Sequence, residues 1–104
     1  MEQRPSLSIS LEAYGDTLAA ALQKRNFRMK DDIITYYFVV TKDALLYNLE
    51  VYTGSVSKEN ILRKTILHYA YLWNPALQNG HKVCASVRME LKFLDNKIYV
   101  TEGP

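Results

Sequence analysis

The sequence predicts an α+β domain, two helices packed on one face of a mainly antiparallel sheet, with element order (β)-α-β-β-α-β-β. Three observations carry this expectation. Residues 82–93 alternate without a break, with Val83, Ala85, Val87, Met89, Leu91 and Phe93 facing one way. That is the pattern of an antiparallel strand with one face on a core and the other open. Two stretches place apolar residues three and four apart, as an amphipathic helix requires. Between them runs Ile-Ile-Thr-Tyr-Tyr-Phe-Val-Val, residues 33–40. A β-branched and aromatic run of this kind marks a central strand or one covered on both faces.

Taken in order, residues 1–5 have no pattern and are expected to be disordered, leaving 6–104 as a single α+β domain. Residues 6–11 alternate, with Leu7, Ile9 and Leu11 on one side, and favour a short strand or extended lead-in. Ser8 and Ser10 are also good helix N-caps, which keeps a helix approach open. The first helix sets Leu11, Tyr14, Leu18, Ala21 and Leu22 on one face, with cations at its end and Asn26 as a stop. Gly15 inside it points to close contact with the sheet.

Asp31-Asp32 opens the first hairpin. Thr41-Lys42-Asp43 forms its turn, and residues 44–53 form its second strand, with Leu45, Tyr47, Leu49 and Val51 on one face. After Gly54, Ser55 or Ser57 caps a second helix whose stripe is Leu62, Thr65, Ile66, Tyr69, Ala70 and Trp73. Pro75 ends or kinks that helix at Asn74. Residues 76–79 read as one further helical turn closed by Gly80. The last hairpin turns at Asp95-Asn96.

Composition bounds the function. The chain has 104 residues, 48% of them hydrophobic and 23% charged, which suits one globular domain with its own core. Net charge is +2, too little to demand a nucleic acid or an anionic membrane. A single cysteine, Cys84, and an N-terminus with no export signal lead to the expectation of a reducing, cytoplasmic compartment. No apolar run reaches the length of a membrane span, so no membrane association is expected.

No motif carries chemistry. His81 precedes Cys84 by three residues, a spacing that puts the two on opposite sides of a strand and weakens a nucleophile–base pair. Two histidines and one cysteine without metal-ligand spacing predict no metal. Four scattered glycines form no phosphate loop, and no cofactor is expected.

Protein binding is therefore the leading expectation: a small non-enzymatic adaptor, chaperone-like factor or inhibitor, acting as a homodimer. Its contact residues are Leu67, Tyr71 and Trp73 on the second helix, with Arg88 and Glu90 on the open strand face. Clustered aromatics are the usual anchors of interfaces. The alternative is an RNA- or ssDNA-binding protein that stacks bases on sheet tyrosines and holds phosphates with Lys24, Arg25, Arg28, Arg88 and Lys92. An enzyme using Cys84 and His81 comes third. The element order resembles that of small secretion chaperones, a family that dimerises and holds effector segments extended. The resemblance is confined to element order, and those chaperones are typically acidic.

Overall fold

The computed structural model describes residues 3–25, 27, 33–53, 55–94 and 97–103. The expected Asn26 stop, the Asp31-Asp32 opening, Gly54 and the Asp95-Asn96 turn lie outside them, as does Arg28. The fold is α+β in the expected order. Helices α1 (Leu11–Lys24) and α2 (Val56–His68) share one core with a four-stranded antiparallel sheet. The strands are β2 (Ile33–Val40), β3 (Leu46–Tyr52), β7 (Ala85–Leu94) and β8 (Lys97–Glu102), in spatial order β3-β2-β7-β8.

The alternation of β7 sorts residues as expected. Val87, Met89, Leu91 and Phe93 are buried, and the intervening side chains face away from the helices. On β2, Ile34, Tyr36, Phe38 and Val40 enter the same core. β2 is central, paired with both β3 and β7, but helices cover only one of its faces.

α1 starts where Ser10 caps it, the side chain accepting from the Ala13 N–H at 3.1 Å. The lead-in strand is correspondingly short: β1 is Ser6–Leu7, paired with β4 (Trp73–Asn74). The same antiparallel register continues outward. Gln3 exchanges two backbone hydrogen bonds with Leu77, at 3.1 and 2.9 Å, and the Ser8 N–H reaches Leu72 O at 2.7 Å. Gln3 is thus bridged to Leu77 beyond the short β1–β4 ladder, inside the stretch 1–5 where the sequence suggests disorder.

Three other local features differ from expectation, each for an identifiable reason. β3 does not keep one alternation. Its register with β2 slips between Tyr37 and Val39, at a bulge where Asn48 has φ 56°. Asn tolerates this left-handed geometry better than most residues, and the extra residue reverses the faces on either side. Leu49 and Val51 are buried as expected, whereas Tyr47 and Leu45 turn outward and Leu46 packs on the core.

α2 ends at His68, earlier than its apolar stripe suggests, and continues as a 3₁₀ turn, Ala70–Leu72. Pro75 forces an extended conformation on Asn74, so residues 73–74 become strand. Residues 76–79 are not helical. β5 (Ala76–Gln78) and β6 (His81–Val83) form a hairpin whose turn is Asn79-Gly80, with φ 52° and 76°. Two consecutive positive φ angles are what a two-residue hairpin needs and what Asn-Gly supplies. The long strand expected over 82–93 is therefore broken at Cys84, between β6 and β7.

Candidate partner-binding surfaces

The residues singled out in the sequence do not form one site. Trp73 is only 2% exposed. It lies edge-on to Phe38 with ring centroids 5.0 Å apart, and to Tyr14 at 6.3 Å. Once the chain leaves α2 as strand, its indole turns into the core and cannot touch a partner. Its N–H has no hydrogen-bond partner among the described residues. Leu67 and Tyr71 are exposed near the end of α2, Tyr71 by 71%. Arg88 and Glu90 lie on the opposite side of the molecule, on the open sheet face.

The cations of the nucleic-acid alternative are also divided. Lys24 and Arg25 line a hollow with His68 and Tyr69 where α1 and α2 end. Arg88 and Lys92 are on the open sheet face, with Glu50 and Glu90 beside them in the ladder. Arg88 donates to Glu90 Oε1 at 3.1 Å, and its Nε lies 3.4 Å from the Tyr37 hydroxyl. The Tyr52 hydroxyl donates to Glu50 Oε2 at 3.0 Å, which raises the pKa of that phenol. Opposed charges on one face weaken the field that phosphate contacts require.

Cys84 is an exposed free thiol, and among the described residues no hydrogen bond joins it to either imidazole. His81 is exposed on β6, and His68 sits edge-on to Tyr69 at 4.9 Å. No group of three or more potential metal-ligating His, Cys, Asp or Glu occurs among the described residues, and no helix there is long and apolar enough to cross a membrane.

The open face is built of ladder rows. Ile33 stands beside Lys92, Thr35 beside Glu90, Tyr37 beside Arg88 and Val39 beside Ser86. Tyr52 and Tyr99 extend these rows onto β3 and β8. Ile33 is 63% and Tyr52 59% exposed, so large apolar groups remain in water here.

The two edges of the sheet differ. On β3 the bulge at Asn48 interrupts the strand, and Arg63 from α2 donates a hydrogen bond to the Leu49 carbonyl. Bulges and covering side chains are how edges are kept from pairing. Among the described residues β8 has no bulge, and α1 covers it at one point only, where Gly15 packs against the Ile98 carbonyl. β8 is an uninterrupted six-residue strand paired on one side only, to β7. Along its outer side runs a groove of about 390 Å³, lined by Glu12 of α1 and by Lys97, Ile98, Tyr99, Val100 and Thr101. Lys97 spans the groove end, 3.9 Å from Glu12 and 5.3 Å from the Tyr99 ring centre. Sequence reasoning missed this edge, because strand order depends on the distant pairing of β2 with β7.

Comparison with family models, characterised proteins and solved structures finds no match to this chain. The functional reading therefore rests on the geometry alone.

Proposed function

We propose that this chain is a small non-enzymatic protein-binding domain that receives an extended segment of its partner as an added strand along β8. The observation that carries this reading is the regular outer edge of β8 with an apolar groove beside it. There α1 covers the Ile98 carbonyl, and the outward backbone groups of Val100 and Glu102 remain for a partner, whereas β3 is bulged and covered by Arg63. A strand paired on one side leaves outward N–H and C=O groups that an extended peptide can satisfy, while a neighbouring groove selects alternate side chains. The groove beside β8 is mainly apolar, with Lys97 and Glu12 at one end. The segment favoured there carries aliphatic or small aromatic groups at every second position. The adaptor and chaperone-like roles both use such capture, and a reducing cytoplasmic setting suits the lone free thiol.

Peptides selected from a randomised extended library test this reading, combined with proline placed singly across Ile98, Tyr99, Val100 and Thr101. Proline is tolerated at an edge where the N–H points outward, and it removes the donor there. At such positions the domain stays folded and affinity falls about 10-fold or more. Selected peptides that bind equally well to every folded proline variant contradict the reading.

A further inference from the structure

The geometry points to the open sheet face as an interface with a second copy of this chain, formed by face-to-face packing about a two-fold axis. This goes beyond strand capture at β8 and does not depend on it. The first observation is β2 itself. Its outward residues Ile33, Thr35, Tyr37 and Val39 continue the β-branched and aromatic character of its buried side, as in strands covered on both faces. The helices cover only one side, so this composition calls for an outer layer.

The second observation identifies the occupant. The four charged side chains in the central rows are Glu50, Arg88, Glu90 and Lys92, two of each sign. Arg4 lies beside Arg88 and Ser86 at one end of the face and Lys97 at the other, but the central rows are balanced, and their alternating signs suit neither a polyanion nor a strongly basic partner. They suit a copy of the same face. Consider a two-fold axis lying in the interface, perpendicular to β7 and crossing it at Met89. Because successive outward residues of β7 are two apart, this axis sets Arg88 of each copy over Glu90 of the other. It also sets Lys92 over Ser86. On β2, in register with β7, it sets Ile33 over Val39. Opposite charges meet and apolar groups meet in the central rows; at their ends Lys92 comes over Ser86, beside which Arg4 lies. Isologous contacts require this self-complementarity.

On this axis β2 and β7 overlap the partner copy along most of their length, whereas β3 and β8 overlap it only close to the axis. With strands about 4.8 Å apart and about 3.4 Å per residue, the flat footprint is about 300 Å². Side-chain relief raises the accessible area, and the contact stays at the small end of specific interfaces, as a reversible dimer requires.

Sedimentation equilibrium of the full chain, wild type and charge-swapped, tests this inference. Wild type is expected to dimerise reversibly. Arg88→Glu alone, or Glu90→Arg alone, brings like charges together across the axis and raises the dissociation constant about 10-fold or more. Arg88→Glu with Glu90→Arg restores opposite pairing and returns the constant to within about 3-fold of wild type. Circular dichroism confirms that each variant is folded, and Tyr52→Ser, which shortens an exposed aromatic without touching the charge pair, provides a second weakening variant. A protein that stays monomeric at all concentrations overturns the inference. So does a dimer indifferent to the single swaps, or a loss that the double swap does not restore. Amide shifts confined to this face on adding oligouridine to a monomeric protein would assign the face to nucleic acid instead.

Discussion

The backbone of Gly15 rests against the carbonyl oxygen of Ile98: a β-carbon at position 15 would lie 2.5 Å from that oxygen and 3.2 Å from a Val100 methyl. This contact seats α1 beneath β8 and so sets one wall of the groove along the free edge. Alanine normally gains about 1 kcal/mol over glycine within a helix. Here the obstacle is backbone of a paired strand, which cannot move alone. Gly15→Ala is expected to destabilise the domain by about 1–3 kcal/mol net, as overpacking does. Urea unfolding checks this; a more stable variant would show that α1 can slide away from β8.

The two aromatics at the end of α2 should behave oppositely. Trp73→Ala empties a site between Tyr14 and Phe38 and costs about 3–5 kcal/mol, a large part of the stability of a domain this size. Tyr71→Ala removes an exposed ring and changes stability by about 0.5 kcal/mol or less. Thermal melts of the two variants separate a core residue from a surface one.

Alkaline pH should unfold the protein through its buried phenols. Tyr14 and Tyr36 face each other in the core, hydroxyl oxygens 3.4 Å apart. Burial raises both pKa values above the ordinary 10.0, that of Tyr36 well above it. Both groups therefore keep their protons in the folded state when the unfolded chain has lost them. The stability they contribute is present below about pH 10 and is lost as pH rises beyond it, at up to about 1.4 kcal/mol per pH unit for each phenol. Denaturant melts between pH 8 and 11 should show this slope, and Tyr36→Phe should reduce it. Equal slopes in both proteins would contradict the assignment.

The Asn79-Gly80 turn gives a local prediction. Nothing lies within 4 Å of a β-carbon at Gly80, so the only obstacle to alanine is the positive φ of 76°. Gly80→Ala should cost about 1–2 kcal/mol. The loss should appear first as faster amide exchange in β5 and β6, with the four-stranded sheet unaffected.

How far the fold can be read from sequence follows from the range of the signals. The alternation of β7 and the contact implied by Gly15 are local, and both are present in the structure. The Asn79-Gly80 hairpin signal is equally local, but Ala76 and Leu77 after Pro75 also suit a helical turn and mask it. The reversal at Asn48 was less accessible, since an alternation of Leu45, Tyr47, Leu49 and Val51 gives no sign of an inserted residue. Trp73 follows the helical stripe in sequence and departs from it only because Pro75 and the N-terminal strand draw residues 73–77 into an extended ladder. The unequal edges of the sheet lay beyond any local pattern, since they arise from β2 pairing with β7.

Strand addition at β8 is tested most directly by nuclear Overhauser contacts between an isotope-labelled domain and a bound, unlabelled selected peptide. Cross-strand backbone contacts to Lys97–Glu102, at alternate residues along the peptide, are the expected result. Contacts confined to Tyr71 and α2, or to the open sheet face, with the β8 backbone undisturbed, would contradict it.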